Sequence, residues 1–300
     1  MLERILGKKQ PESPKIADVE EPQGPPAGHF YSPVVDIRDA AGRRSEIWPP
    51  NPVVLGVDFN DASHLDVLTK HFPQYMDGYD YPENGPPDEA LLHFYTQNSQ
   101  FSWLDSRVLF VLLRALSPRN IIEVGSGYSS LLMADVNARF LSGAVNVTCI
   151  EPFPRAFLKS KPAGISRIVE RRVQEVSLEE FDILGDNDIL FIDSSHVSKT
   201  GSDVNFLFFD VLPRLAKGVR IHIHDIFLPN DYPENWVLQE ARSWNEQYLL
   251  RALLMYSSMF RVTFGCSYAY FRFPDKVKAA LNHPHGHAFS GGSFWIEKIG

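Results

Sequence analysis

The sequence has little cysteine, no excess of positive charge and no long apolar run. Only two cysteines, Cys149 and Cys266, occur among 300 residues, so neither a disulfide framework nor a zinc ribbon is expected, and a reducing compartment is favoured. The formal net charge of −8 argues against a nucleic-acid partner, because a polyanion needs a basic footprint. No stretch approaches the ~20 apolar residues of a membrane span or resembles a signal peptide. We therefore expect a cytoplasmic protein without nucleic-acid or membrane partners.

Composition divides the chain into three predicted parts. Residues 1–28 are rich in Pro, Glu and Lys and are predicted to form a disordered tail. Residues 29–89 place large apolar side chains between prolines, which predicts an extended N-terminal segment that lies against the folded body and caps it. Residues 90–300 are predicted to form the main domain, and a hydrophobic content of 44% is enough to bury its core.

From Asn120 onward, strand and helix patterns alternate, which favours an α/β fold with a mostly parallel sheet. Strands are predicted near residues 120–124, 145–150, 165–170, 188–193, 219–225, 260–264 and 293–298, and helices near 61–72, 89–96, 102–116, 129–137, 153–159, 203–217 and 235–254. Ser102 and Asp105 have the spacing of a capping box at the start of their helix.

The central stretch of the chain reads as a strand, a glycine turn and a helix. An apolar run that includes Glu123 is followed by Gly125-Ser126-Gly127, and Tyr128 and Ser129 then begin a helical pattern. The two glycines allow a sharp turn and the close approach of a ligand, with a helix N-terminus behind them. A dinucleotide site has a third glycine, but Ser130 stands in that place. The acid Glu123 would repel an anion and attract the positive charges of S-adenosylmethionine.

The run from Glu123 to Gly127 resembles the first motif of class I S-adenosylmethionine-dependent methyltransferases. The resemblance implies a Rossmann-like fold whose seven-stranded, mostly parallel sheet has an antiparallel last strand. The final predicted strand, which has no helix after it, fits that position. The resemblance also implies a cofactor-binding set at this turn: Glu123, Gly125, Ser126, Gly127, Tyr128 and Ser129.

Two further residues are candidates for the cofactor. Glu151 ends the second predicted strand, where a carboxylate can accept both ribose hydroxyls of a nucleoside. Alone it could be a solvated acid, and it does not separate S-adenosylmethionine from NAD. Gln174 follows the third strand, where this fold usually holds the adenine. An ordinary surface loop is the alternative there.

Acidic and histidine side chains follow the fourth and fifth predicted strands. Asp193 and His196 follow one strand, and His224 and Asp225 end the next. Because the carboxyl ends of adjacent parallel strands converge, these four should cluster beside the cofactor, and Asp193 is a further candidate for binding it. Such a group is a candidate site for Mg²⁺ or Mn²⁺. The alternative is that the acids cap helices while His196 only contacts the cofactor.

The segment Asp193-Ser-Ser-His196 resembles the Asp-x-x-His run of macrocin-type sugar O-methyltransferases. That resemblance implies Asp193 and Asp225 as metal ligands and His196 as the catalytic base assisted by Asp193. His224 stands where that family has a carboxylate, and we include it as a third candidate ligand. The resemblance covers about residues 90–300, and the helix predicted from Asn235 to Leu253 is similar to methyltransferase family 24.

The expected function is S-adenosylmethionine-dependent methylation of a hydroxyl group on a small molecule or sugar, with S-adenosylmethionine and Mg²⁺ or Mn²⁺ as cofactors. The alternatives are an NAD-dependent oxidoreductase and a non-catalytic S-adenosylmethionine-binding protein, and small-molecule N-methylation stays open. His222 is predicted to be a hydrogen-bonded core histidine. The cluster of His283, His285 and His287 is predicted to be a mobile loop with solvated side chains.

Overall fold

The structure is a computed structural model that describes residues 24–281 and 291–300. Most of the predicted tail, residues 1–23, and the cluster of His283, His285 and His287 lie outside the described residues. Within the described ranges, no helix has the length and apolar content needed to cross a membrane.

One sheet of seven strands organises the described chain, and all seven predicted strands are present. The strands are β1 (Asn120–Val124), β2 (Asn146–Ile150), β3 (Arg167–Val169), β4 (Ile189–Ile192), β5 (Arg220–Ile223), β6 (Phe260–Gly265) and β7 (Phe294–Lys298). Their order in the sheet is β3-β2-β1-β4-β5-β7-β6. Only β7 runs antiparallel to its neighbours among the described strands, which confirms the predicted fold class.

Helical segments flank the sheet and form the N-terminal part. They are α1 (Ile37–Gly42), α2 (Arg44–Ile47), α3 (Asp61–Asp66), α4 (Phe72–Tyr75), α5 (Trp103–Leu116), α6 (Tyr128–Phe140), α7 (Ala156–Lys159), α8 (Asp203–Phe206), α9 (Leu212–Arg214), α10 (Glu234–Leu238), α11 (Glu246–Tyr256), α12 (Cys266–Arg272) and α13 (Pro274–Leu281). Two π-helical turns, Val67–His71 and Leu207–Val211, join α3 to α4 and α8 to α9. Short 3₁₀ turns lie at Asp88–Ala90, Val173–Glu175 and Leu178–Ile183.

The parallel strands β1, β2, β4 and β5 are largely buried on both faces, because helices cover each side of the sheet, while the edge strand β3 is partly exposed. In β1, Ile121 packs into the cluster that includes α5 and α6. Its neighbours Ile122 and Val124 pack into the opposite cluster, which includes residues of α8 and α9. This alternation fixes the register of β1 and therefore the position of the glycine turn that follows it.

The carboxyl ends of β1 and β4 lie side by side, although β2 and β3 separate them in the sequence. The Asp193 N–H donates to the carbonyl of Val124 at 2.8 Å. The direction of strand order reverses between these two strands, and in open α/β sheets ligands bind in the crevice at such a point. The sheet therefore brings the turn after β1 and the residues after β4 to one place.

The helix predicted over residues 235–254 is wrong in its middle, because the chain breaks between α10 and α11. Ala241 has a left-handed φ of 57°, a conformation that ends a right-handed helix. The Asn245 side chain then accepts a hydrogen bond from the Ser198 N–H at 2.6 Å. The break brings the N-terminus of α11 to the loop after β4.

Three local predictions in the first part of the chain are also wrong. Residues 91–96 are not helical, because the N–H groups of Thr96 and Gln97 bond to the carbonyls of residues 82 and 83. The capping box is absent, since Ser102 makes no side-chain cap and the Asp105 carboxylate accepts from the N–H groups of residues 292 and 293. The extended segment after residue 29 is interrupted by α1 and α2. The predicted domain boundaries stay predictions.

Candidate active site

The glycine turn after β1 is packed against the end of β4. Gly125 has a φ of +80°, and a Cβ atom there would lie 1.8 Å from the carbonyl oxygen of Asp193. Only glycine fits this position, both for its conformation and for its space. Gly127 precedes α6, and its N–H donates to Ser130 Oγ at 3.0 Å. A Cβ atom at Gly127 would meet no atom within 4 Å, so this side of the turn is open.

Glu123 is fully buried and lines neither of the two cavities described below. Its carboxylate accepts hydrogen bonds from Ser129 Oγ at 2.6 Å and from Ser130 Oγ at 2.5 Å. Burial raises the pKa of Glu123 to about 7, although these hydroxyls favour the ionised form. Glu123 and Ser129 therefore tie β1 to the first turn of α6. Both residues were predicted to bind the cofactor, but here their side chains bond to each other inside the protein.

Tyr128 likewise lines neither of the two cavities described below. Its hydroxyl donates to Asp88 Oδ1 at 3.3 Å, and the Arg155 guanidinium stacks 5.1 Å from its ring. Burial raises the pKa of Tyr128 to about 12. The structure thus gives Tyr128 contacts with the N-terminal part and with the segment after β2.

Four of the remaining predicted cofactor residues, but not Ser126 or Gly127, line a cavity of about 510 Å³ at the carboxyl ends of β1, β2 and β4. Gly125, Glu151, Gln174 and Asp193 line it, together with Phe153, Lys199 and Asp203. Glu151 Oε2 accepts the Ser126 N–H at 3.1 Å, and Oε1 accepts the Phe153 N–H at 2.8 Å. Each carboxylate oxygen keeps a lone pair for a ligand. Gln174 donates from Nε2 to the carbonyl of Gly201 at 3.1 Å and keeps its amide oxygen.

A second cavity of about 710 Å³ adjoins the first. Both cavities are lined by Asp193, Ser194 and Ser195. The second is also lined by His196, His224 and Asp225 and by the rings of Trp103, Phe227, Trp236 and Trp244. The structure therefore brings together all four side chains predicted at the ends of β4 and β5.

His196 is the most constrained of these four residues. Its Nε2 lies 3.3 Å from Asp193 Oδ1 and 3.4 Å from Asp225 Oδ2. Its Nδ1 lies 2.9 Å from Glu246 Oε2. Burial opposes a charged imidazole, but the hydrogen bonds to Asp193 and Glu246 outweigh it and raise the pKa of His196 to about 10. The free site therefore holds His196 as an imidazolium at neutral pH.

The two carboxylates respond differently to the same surroundings. Burial alone would raise the pKa of Asp193, yet the charges and hydrogen bonds of His224 and His196 hold it well below its usual range. Burial raises the pKa of Asp225 above its ordinary value despite the same two histidines. Asp225 also has a left-handed φ of 56°, which turns the chain at the end of β5.

His224 lies slightly farther from the carboxylates than His196 does. Its Nδ1 is 3.6 Å from Asp193 Oδ1 and 3.7 Å from Asp225 Oδ1. Burial disfavours its charged form, but the charges of Asp225 and Asp193 outweigh burial and raise its pKa well above the ordinary value. His222 lies in the core, stacked 3.7 Å from the Phe191 ring, with its Nε2 2.9 Å from Ser293 Oγ.

The donor set fits a divalent cation. Ligand atoms of Asp193, His196 and Asp225 all lie within 4.8 Å of one another. Carboxylate oxygens are the ligands that Mg²⁺ and Mn²⁺ prefer, and imidazole is accepted by several transition metals. The group shares two residues with the predicted set of Asp193, His224 and Asp225 and differs in the histidine.

Glu246 is a site residue that the sequence analysis missed. It lies at the start of α11, fully buried, and the sequence places it inside an apparently continuous helix. Only the break before α11 aims its carboxylate at His196. No periodicity or motif in the sequence signals this placement.

Comparisons with known proteins agree with this arrangement. The model of a family described as a methyltransferase domain matches residues 122–226, which include the glycine turn and all four clustered residues. An uncharacterized protein from Archaeoglobus fulgidus is 33% identical over 172 residues, which cover 54% of this chain and 74% of that protein.

Solved structures with weaker likeness include a protein described as an O-methyltransferase from Klebsiella pneumoniae, with 14% identity, a TM-score of 0.38 and coverage of 79% of this chain and 89% of that one. Another is described as a protein-L-isoaspartate O-methyltransferase from Plasmodium falciparum in complex with S-adenosyl-L-homocysteine. Its identity is 13% and its TM-score is 0.33, and the match covers 56% of this chain and 84% of that one. The family match over residues 122–226 and the sheet order together show that this chain has the domain of a class I S-adenosylmethionine-dependent methyltransferase.

Proposed function

We propose that this protein transfers the methyl group of S-adenosylmethionine to a hydroxyl group of a small molecule or sugar, with His196 as the base. The observation that carries the proposal is the meeting of two cavities at Asp193, Ser194 and Ser195. One cavity contains the glycine turn and Glu151, and the other contains His196. A donor in the first and an acceptor in the second would face each other across these three residues.

The first cavity supports binding of the nucleoside part of the donor. The carboxylate of Glu151 is held by two backbone N–H groups, so it is oriented before a ligand arrives. It can then accept hydrogen bonds from the ribose hydroxyls. Asp193, at the junction of the cavities, offers a negative charge near the place where the positive sulfonium would lie.

The reaction is an in-line displacement at the sulfonium carbon. Most of the work of the protein is to align donor and acceptor and to keep water out. A hydroxyl group becomes a good nucleophile only as its proton leaves, so a base within hydrogen-bond reach is needed. Nε2 of His196 faces Asp193 and Asp225 beside the acceptor cavity and is the nitrogen that would take this proton.

His196 has to be neutral before it can act as a base. Asp193 and Glu246 hold the proton on His196, so a cation bound to the Asp193 carboxylate would offset part of that effect and lower the pKa of His196. We propose Mg²⁺ or Mn²⁺ held by Asp193 and Asp225, with His224 as a neighbouring ligand. When bound, such a cation would lower the pKa of the acceptor hydroxyl and fix the position of its oxygen.

The walls of the second cavity favour a ring-shaped acceptor. Trp103, Trp236 and Trp244 present partly exposed indole groups to it. The Arg242 guanidinium lies 4.0 Å from the Trp236 ring and 4.6 Å from the Trp244 ring, which holds both indoles in place. Flat aromatic faces bury a ring at a low cost in conformational entropy.

Two measurements test the proposal. Calorimetry on cofactor-free protein should show binding of S-adenosylmethionine and S-adenosylhomocysteine and no binding of NAD. Transfer of a radiolabelled methyl group to a panel of catechols, phenols and glycosides should then be abolished in His196→Ala, while its affinity for S-adenosylhomocysteine stays unchanged. Binding of NAD alone would overturn the cofactor assignment, and full activity of His196→Ala would remove His196 from the mechanism.

A further inference from the structure

Glu246 has no part in the chemistry proposed above, yet it is a fully buried carboxylate next to His196. Its Oε2 lies 2.9 Å from His196 Nδ1, and Ser194 Oγ donates at 3.1 Å to either carboxylate oxygen. Burying a carboxylate is costly unless close partners compensate it. The contacts with His196 and Ser194 therefore stabilise the buried carboxylate of Glu246.

The backbone around Glu246 also holds His196. The N–H groups of Asn245 and Glu246 donate to the His196 carbonyl at 3.0 and 3.2 Å. His196 itself has a left-handed φ of 59°, which is uncommon for a residue with a side chain and needs support from its surroundings. The Trp244 ring lies 4.3 Å from the imidazole and covers one of its faces. The imidazole is thus fixed at its backbone, one face and one nitrogen.

The bond to Glu246 decides which imidazole nitrogen is available. With Glu246 Oε2 as the acceptor of the 2.9 Å contact, Nδ1 carries a proton and donates it. Nε2 is left facing Asp193 and Asp225, where the two cavities meet. A carboxylate that fixes the ring orientation of a working histidine is a general device in enzymes.

We propose that Glu246 is the positioning residue of this site, which keeps the proton of His196 Nδ1 in place and directs Nε2 into the acceptor cavity. The proposal rests on the proposed function in that His196 is the base there. Glu246 touches neither donor nor acceptor in this assignment. It acts only through His196, and Ser194 supports it from the side of β4.

The position of the Nδ1 proton can be observed directly by NMR. In protein with ¹⁵N-labelled histidine and saturating S-adenosylhomocysteine, this proton should give a downfield resonance in slow exchange with water. The variant His196→Gln lacks the resonance and so assigns it. In Glu246→Ala the resonance should vanish or exchange at least about tenfold faster, because its acceptor is gone. The same resonance with an unchanged exchange rate in Glu246→Ala would overturn the proposal.

The control is Glu234→Gln, which removes an acid of the neighbouring helix α10 whose ion pair with Arg44 at 2.6 Å is partly exposed. It should leave the resonance, the unfolding temperature and the affinity for S-adenosylhomocysteine unchanged. If Glu246→Ala does not fold, Ser194→Ala takes its place. In Ser194→Ala the Glu246 carboxylate loses the hydrogen bond from Ser194 and binds the Nδ1 proton of His196 more strongly. The Nδ1 resonance should therefore move further downfield, and an unmoved resonance would contradict the proposal.

Kinetics separate this proposal from the proposed function. With an acceptor from the panel above, Glu246→Gln keeps the size of the side chain but offers an amide that can donate to Nδ1. Its kcat should fall on the order of 10²- to 10⁴-fold, as when a histidine is held in the wrong tautomer, while KM for S-adenosylmethionine stays constant. An active Glu246→Gln beside an inactive His196→Ala overturns the positioning role alone. An active His196→Ala overturns the base assignment of the proposed function instead.

Discussion

Gly125 and Asp193 touch through their backbones, since a Cβ atom at Gly125 would lie 1.8 Å from the Asp193 carbonyl oxygen. The turn that would hold the donor and the strand end that carries the predicted metal ligand are therefore one rigid unit. A side chain added at Gly125 must displace the backbone at Asp193. A substitution at Gly125 therefore tests whether the contact between the turn and the end of β4 is needed for stability and cofactor binding.

We expect Gly125→Ala to impair both stability and cofactor binding. The left-handed conformation alone costs about 1–2 kcal/mol for alanine, and the clash must also displace the end of β4. The matched control is Gly143→Ala, where φ is +67° but no atom lies within 4 Å of the added carbon. Urea unfolding and calorimetry with S-adenosylhomocysteine should show the control losing only the conformational cost. Equal losses in both variants would contradict the importance of the contact.

The sheet could be predicted from the sequence, because its signals are local. Apolar runs of strand length separated by helical patterns gave all seven strands, and the single antiparallel strand followed from the resemblance to class I methyltransferases. The convergence of Asp193 and Asp225 followed from the geometry of parallel strands. The strand signals depend on residues close together in the sequence, and the convergence follows once the strands are known to be parallel neighbours.

Two of the features that were missed depend on contacts between residues distant in the sequence. The break before α11 is stabilised by Asn245 bonding to the loop after β4, and helical periodicity carries no trace of that contact. Asp105 has the spacing of a cap, but residues 292 and 293 take its carboxylate. Glu123 was expected to face the cofactor, yet Ser129 and Ser130 satisfy it internally. For α11 and Asp105, a partner distant in the sequence determines the placement. For Glu123, the partners lie in the first turn of the helix that follows its own strand.

The buried carboxylate of Glu123 should make stability depend on pH. Burial raises its pKa in the folded protein from the ordinary 4.5 to about 7, so between these values the folded state holds a proton that the unfolded state lacks. Stability is thus full below the unfolded pKa and is lost as the pH rises through the folded pKa, by about 3 kcal/mol in total. Urea unfolding from about pH 5 to about pH 8 should show this decline.

The variant Glu123→Gln should flatten that part of the profile, since an amide does not titrate and can still bond to Ser129 and Ser130. Glu170→Gln, which changes an exposed acid at the end of β3, serves as the control and should keep the slope of the wild type. An identical slope in Glu123→Gln would show that another group causes the dependence.

Removal of the Glu151 carboxylate should weaken cofactor binding. Glu151→Ala loses the proposed ribose acceptor and also frees the N–H groups of Ser126 and Phe153. We expect the Kd for S-adenosylhomocysteine to rise by about 10- to 100-fold, the loss of one or two hydrogen bonds to a charged group. Glu170→Ala is the matched control. Unchanged affinity in Glu151→Ala would remove Glu151 from the proposed cofactor site.

Cation binding can separate the roles of the clustered residues. Titration with Mn²⁺, followed by electron paramagnetic resonance, should show Asp193→Asn and Asp225→Asn each weakening the binding of Mn²⁺ at least about tenfold, because each removes a charged ligand. His196→Gln should bind Mn²⁺ as well as the wild type or better. The imidazolium of His196 lies within 3.4 Å of both carboxylates and competes with the cation for their charge. A loss of affinity in His196→Gln similar to that of the aspartate variants would instead make His196 a metal ligand, and a histidine bound to a cation through Nε2 has no lone pair left to act as the base.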